Sequence, residues 1–242
     1  MVGAGQLARM THEAASALGL SLRVLATAPD DSAALVTADV EIGRPDDLAA
    51  LRAFAKPCDV VTFDHEHVPG EHIDALVSGG ATVYPGASAL HYAQDKRAMR
   101  ERLGAGGAPV PAWRPVRTAA DAVALAGEVG WPLVAKAARG GYDGRGVWFV
   151  DDAAGIDRLL ATGVEVIVEQ RVPLRRELAA LVARSPSGQV AAYPVVETVQ
   201  RDGICVEVLA PAPGVPAAVD AQARRPHQIA SAIEQRQALA RP

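Results

Sequence analysis

The stretch KAARGGYDGRGVWFV, residues 136–150, decides how this chain is read. Before it, Trp131-Pro-Leu-Val-Ala-Lys136 is apolar and ends on a lysine, the pattern of a strand with a charge at its tip. Residues 139–146 then set four glycines among two arginines, a tyrosine and an aspartate, and Val147-Trp-Phe-Val150 returns as a second strand. Glycine lets a backbone reach positive φ and approach a ligand closely. Successive free N–H groups in such a turn form an anion-binding concavity, and arginine adds a planar fork suited to phosphate or carboxylate. The chemistry spelled out is a hairpin loop that closes over a phosphate chain, with Lys136 as a point charge on a rigid strand. A glycine-rich hairpin with solvated arginines is the simpler reading of the loop alone. No Gly-Lys-Ser/Thr follows, so the loop is not a Walker A sequence.

Composition narrows the classes. The 242 residues are half hydrophobic, enough for one large domain or two to three small ones. A formal charge of −4 gives no basic footprint for nucleic acid. No apolar run approaches the ~20 residues that span a membrane, and no secretory signal opens the chain, so a cytoplasmic location is expected. Cys58 and Cys205 sit in apolar runs and read as small hydrophobes in a reducing compartment.

Outward from the loop, the N-terminal end reads as βα units. Gly3-x-Gly5-x-x-Ala8 opens a helix whose apolar positions Leu7, Met10, Ala14 and Leu18 recur at helical spacing, and Gly19 stops it. Such a start aims helix N–H groups at an anion. A dinucleotide reading also needs a full strand before the glycines and an acid closing the next strand, and Thr27-Ala28 supplies none. Strands are expected over 22–26, 40–42, 59–63 and 82–84, and helices over 46–56 and 70–78, which together make a small parallel sheet. The 59–63 strand runs into Asp64-His-Glu-His-Val-Pro69. Ligands meet the carboxyl ends of such strands, so Glu66 is well placed for a substrate. The crowded histidines and acids also suggest metal, but on a strand His65 and His67 fall on one face and the acids on the other.

Residues 93–103 read as one charged helix with Lys96 and Arg100 on one face, a pattern usually solvated. The Gly/Pro-rich run 104–115 marks a boundary. A helix over 118–129, capped by Thr118, the lysine strand and loop, a helix over 151–161 and a strand over 164–169 follow. Residues 178–184 and 189–198 read as an antiparallel hairpin and 206–210 as a further strand. A helix-like run, 217–239, ends the chain.

This order, carried by GAGQLARM, AQDK, VAKAARGGYDGRG, VEQRVPLRREL and YPVVETVQRDGI, closely resembles the ATP-grasp family of N5-carboxyaminoimidazole ribonucleotide synthetases, purine-pathway ligases. The resemblance covers about residues 2 to 213. It implies an α/β and α+β architecture: a parallel-sheet domain over 1–92, a linker helix and lid over 93–168, and an incomplete antiparallel-sheet domain over 169–242. It implies that ATP activates bicarbonate as carboxyphosphate and that the carbon passes to the exocyclic amine of 5-aminoimidazole ribonucleotide. By match, Lys96 and Lys136 contact the ATP phosphates, and Gly141, Tyr142, Asp143, Gly144, Arg145, Gly146 and Val147 fold over them. Glu169, Gln170, Arg171 and Val172 are the hinge that reads adenine by backbone groups. Glu177 holds the ribose hydroxyls, and Gln200 makes a further nucleotide contact. Tyr142, Arg145 and Glu66 meet bicarbonate and the aminoimidazole nucleotide, whose site also takes in Gly5, Gln6 and Leu7. A homodimer is implied as well.

The family's magnesium-holding carboxylates lie beyond the matching region. After Pro216 the acids here are Asp220 and Glu234, so Mg²⁺ is implied with no ligand assigned to it. Arg225-Pro-His227 echoes a family segment, but its surroundings do not match. Truncation or an altered reading frame is expected at the C-terminus, with a start upstream of Met1. The alternative to an active ligase is therefore a nucleotide-binding remnant without the metal site.

Overall fold

Val2 is the middle of the first sheet. In the computed structural model, which describes residues 1–141, 144–185 and 187–224, the chain divides into two units, Met1–Gln94 and Asp95–Pro242. In the first unit α1 (Gln6–Ala17) leads into β1 (Arg23–Ala26), which pairs in parallel with β2 (Asp39–Ile42). Single parallel bridges carry the sheet on, from Leu25 to Val2, from Val2 to Phe63 and from Val61 to Val83. Residues 59–63 thus form bridges rather than the buried strand expected, and Val60 is half exposed. α2 (Leu48–Ala55), α3 (Gly70–Ser78) and α4 (Ala87–Gln94) complete the unit. Asp47 caps α2 by accepting the N–H groups of Ala49 and Ala50, and Leu51 and Phe54 go inward against Val2, Leu25, Val61 and Ile73.

The packing face of α1 is not the one its apolar spacing predicts. Ala8 and Ala15 are buried, and Ala4 and Ala8 pack on Val24, Ala26 and Ala33, while Leu7, Met10 and Leu18 stay exposed. Small side chains let the helix approach β1 closely, which a row of leucines on that side would prevent.

The second unit begins with α5 (Lys96–Ala105). The run 93–103, expected as one helix, is interrupted because Asp95 turns its carboxylate onto the N–H groups of Arg97 and Ala98 and starts a new helix. The division at Gln94 therefore precedes the Gly/Pro-rich run 104–115, whose end belongs to β3 (Trp113–Val116). α6 (Ala119–Val129), β4 (Leu133–Ala137), β5 (Val147–Val150), α7 (Ala153–Leu160) and β6 (Val166–Gln170) follow. They form a four-stranded antiparallel sheet in the order β3-β6-β4-β5. Leu133, Ala135, Trp148, Val150, Val166 and Val168 face Leu125 of α6 and Ile156 of α7.

β7 (Glu177–Ala179), β8 (Val182–Arg184), β9 (Val190–Ala192), β10 (Val196–Arg201) and β11 (Ile204–Leu209) come next. The single hairpin expected over 178–198 is split: β8 pairs with β9, while β7 pairs with β10 in the sheet β11-β10-β7. Pro194, without an N–H to donate, lies in the break between β9 and β10. α8 (Ala217–Ala223) is the described part of the helix expected over 217–239; residues 225–242, with Arg225-Pro-His227 and Glu234, lie outside the described residues. Among the described residues no helix is long and apolar enough to cross a membrane.

Candidate functional site

The four-stranded sheet has one face covered by α6 and α7, and its chemistry is on the other. Residues directly opposite in an antiparallel pair share a face. The registers Trp113↔Glu169↔Val134↔Phe149 and Pro115↔Ile167↔Lys136↔Val147 therefore lay two rows across the side away from α6 and α7. Glu169 and Lys136 are diagonal neighbours in those rows, and the Lys136 ammonium donates to Glu169 Oε2 at 2.7 Å. The other carboxylate oxygen, Oε1, accepts Arg100 Nε from α5 at 2.8 Å. Burial would raise the Glu169 carboxyl, but the hydrogen bonds from Arg100 and Lys136 outweigh it and hold the group below its ordinary range. Phe149 stays two-thirds exposed on this face, with the Arg171 guanidinium 5.2 Å from its ring centre.

The i, i+4 pair Lys96 and Arg100 is thus not a solvated face. Arg100 reaches Glu169, and Lys96 Nζ donates to Gly140 O at 2.8 Å, holding the entry of the glycine-rich loop. Asp95, buried at the helix cap, also takes Arg139 Nε at 3.3 Å. Desolvation would raise this carboxyl too, and the hydrogen bonds from Arg97 and Ala98 bring it down.

The loop glycines supply a backbone that other residues rarely adopt. Gly140, Gly141, Gly144 and Gly146 all have positive φ. A Cβ on Gly141 would lie 2.6 Å from Arg145 O, and one on Gly144 would lie 3.1 Å from Asp202 O. Gly144 therefore rests against the Asp202-Gly203 turn that joins β10 to β11, two residues beyond Gln200. Arg145 and Val147 are exposed beside it, whereas Tyr142 and Asp143 lie outside the described residues.

Lys136, Val147 and Glu169 thus belong to one sheet face, Gly141, Gly144, Arg145 and Gly146 to the loop beside it, and Lys96 reaches the loop entry from α5. Glu169 sits mid-sheet between β3 and β4, and Gln170 N–H donates to Ala112 O at 2.8 Å, at the end of β6 from which Arg171 and Val172 lead out. Glu177 is exposed on β7 opposite Thr198, and its neighbour Arg176 is fixed by Glu197 at 2.5 Å.

Gly5, Gln6, Leu7 and Glu66 belong to the first unit. There Asp64, two residues before Glu66, accepts Gly5 N–H through Oδ2 at 2.8 Å. The Glu66 carbonyl oxygen accepts Gln94 Nε2, also at 2.8 Å. Residues 64–66 are bends rather than a strand, so His65 and His67 are not held on a common strand face; their rings lie 5.4 Å apart. Among the described residues no group of three or more His, Cys, Asp or Glu could hold a metal ion.

Two family models match the chain: the ATP-grasp domain over residues 101–236 and the ribonucleotide synthetase preATP-grasp domain over residues 1–94. The chain belongs to the ATP-grasp family. Among curated ATP-grasp relatives, N5-carboxyaminoimidazole ribonucleotide synthase of Mycobacterium bovis is 57% identical over 220 residues, covering 89% of this chain and 51% of that protein. A crystal structure of carboxyaminoimidazole ribonucleotide synthase from Aspergillus clavatus complexed with ATP superposes with a TM-score of 0.86 at 32% identity, over 96% of this chain and 62% of that one. A structure of the Aspergillus clavatus enzyme with ADP and 5-aminoimidazole ribonucleotide gives 0.84 at 31% identity, over 96% and 62%. The chain spans about half the length of the curated relatives it matches.

Proposed function

We propose that this ATP-grasp chain binds ATP on the sheet face away from α6 and α7 and serves the ATP-dependent carboxylation of 5-aminoimidazole ribonucleotide with bicarbonate. The observation that carries the reading is the convergence of Lys136, Arg100 and Glu169 on that face with a glycine-rich loop whose entry is tied to Lys96. Phosphoryl transfer asks for positioning and charge neutralisation more than covalent help. Lys136 and Lys96 supply positive charge near the β- and γ-phosphates. Residues 141–147 supply backbone N–H groups and close the site to water. Glu169, Gln170, Arg171 and Val172 offer backbone groups to adenine, Glu177 accepts from the ribose hydroxyls, and Gln200 extends the nucleotide site. Residues 93–168 act as linker and lid, and residues from 169 onward as the second wall. Arg145, with Tyr142, orients bicarbonate so that its oxygen attacks the γ-phosphorus and ADP leaves with the bridging oxygen; the substrate amine then attacks the carboxyphosphate carbon, phosphate leaves, and the nitrogen gives up a proton. In the first unit, Glu66 and the Gly5–Leu7 helix start hold the aminoimidazole nucleotide. The reading carries with it a cytoplasmic homodimer.

Mg²⁺ normally bridges phosphates in this chemistry, held by one or two carboxylates, and beyond Pro216 the one acid among the described residues, Asp220, is already engaged by Arg224 at 2.8 and 3.0 Å. That observation favours a second reading, nucleotide binding without turnover. ADP release with ATP, Mg²⁺, bicarbonate and 5-aminoimidazole ribonucleotide, alongside an ATP titration, separates the two. Turnover supports the ligase, and ATP binding without ADP release supports the second reading. Lys136→Ala is expected to weaken ATP at least tenfold; an unchanged affinity would remove the phosphate role from this face.

A further inference from the structure

We propose that Arg100 is a positioning residue that sets the attraction of the sheet face for a polyphosphate by sharing Glu169 with Lys136. The inference deepens the nucleotide reading above and rests on it.

Each cation takes its own oxygen of the carboxylate, Arg100 Nε on Oε1 and Lys136 Nζ on Oε2. The three side chains are graded in exposure: Glu169 3%, Arg100 15% and Lys136 25%. Lys136 is therefore the member with a way out to a ligand, and Arg100 the one that stays. When a phosphate draws the ammonium away, Arg100 keeps the buried carboxylate paired. Without Arg100, moving Lys136 would strand an unpaired charge beside the core, which is strongly unfavourable. Two cations against one carboxylate also leave one excess positive charge on a face partly shielded from water, where screening by salt is weak.

Counting charge gives predictions of opposite sign. Arg100→Met removes the excess and binds Lys136 harder to Glu169. Glu169→Gln doubles the excess and releases Lys136. The double variant restores one excess charge. With a unit charge a few ångströms from the ligand, each step is expected to change polyphosphate affinity roughly tenfold.

The test is calorimetric titration of the full chain with tripolyphosphate, ATP and adenosine, the last lacking the phosphates. Expected are about tenfold weaker tripolyphosphate and ATP binding for Arg100→Met, about tenfold tighter for Glu169→Gln, and near wild-type values for the double variant and for Arg100→Lys, with adenosine unchanged throughout. Arg100→Met and Glu169→Gln moving in the same direction, or adenosine moving with ATP, would overturn the proposal, since general loss of structure weakens every ligand together. If wild type binds ATP and the opposite signs are missing, the charge inference fails alone. If wild type binds tripolyphosphate but not ATP, the nucleotide reading fails, and the variants still decide the inference. If wild type binds neither, both fall. Should Arg100→Met not fold, ¹⁵N spectra of the wild type decide: tripolyphosphate is expected to move the Lys136 ammonium signal and leave the Arg100 Nε–H in place, and the reverse would sink the proposal.

Discussion

The turn at residues 3–5 and the loop at residues 140–146 look alike in the sequence, and the structure uses their glycines differently. Gly3 has a φ of +102°, and a Cβ there would lie 1.6 Å from Asp64 Oδ1. The carboxylate occupies the side-chain space, Asp64 Oδ2 takes Gly5 N–H, and the turn is locked between neighbouring parallel segments. Gly140 has a similar need for positive φ, +68°, but nothing lies within 4 Å of its missing Cβ. Its loop is held by backbone, through Lys96 Nζ on Gly140 O and the bond from Ala137 N–H to Gly146 O. Glycine in the first turn makes room for a buried anion. In the second, it supplies a left-handed backbone with open space where the Gly140 side chain would be. The difference between a clamped turn and an open one is what the following substitutions measure.

The largest effect is expected at Gly3. Gly3→Ala asks Asp64 to vacate its position and puts a side chain at positive φ, two costs that add to roughly 3 kcal/mol or more. Chemical denaturation followed through the first unit is the check. A loss under about 1 kcal/mol would mean that Asp64 swings away easily and that the turn is not clamped. Gly3→Ala combined with Asp64→Ala should recover part of the loss, because the clash is removed and only the backbone cost remains.

The contrast was half legible in the sequence. Lys136, the loop and the two strands around it could be read because their residue types act locally: an apolar run, a terminal charge, clustered glycines. The capping box of Thr118 with Asp121 is equally local. Asp64 was hidden because its partner Gly5 is 59 positions away and its neighbours His65, Glu66 and His67 drew the chemical reading to themselves. Arg100 was hidden for the same reason, lying 69 positions from Glu169, although its spacing from Lys96 was a usable sign. The buried side of α1 was missed because close packing on β1 selected alanine over leucine, against the ordinary rule that larger apolar residues go inside.

Acid should separate the two regions next. The folded-state pKa of Glu169 is lowered from its ordinary 4.5, so the carboxylate adds stability that is complete above that value and is lost as pH falls through the lowered folded-state pKa. Protonation would cost on the order of 2 kcal/mol, the scale of hydrogen bonds to a charged group. The stability difference between wild type and Glu169→Gln, in which the other lowered carboxylates such as Asp95 cancel, should be flat from neutral pH to about 5 and then shrink. A difference that stays flat to the acid limit would mean that Arg100 and Lys136 do not hold the carboxylate in solution.

The smallest effect sharpens the comparison most. Gly140→Ala meets no neighbour, so its only cost is the left-handed backbone, about 1 kcal/mol. That is roughly a third of the loss expected at Gly3, at a residue with the same sign of φ. The ratio isolates the Asp64 contribution. Because the Gly140 carbonyl still accepts from Lys96 in the variant, loop entry should keep its place, and ATP affinity should fall less than threefold. If Gly140→Ala instead costs as much as Gly3→Ala, the open space beside Gly140 is filled in solution, and the two glycine turns are held in the same way after all.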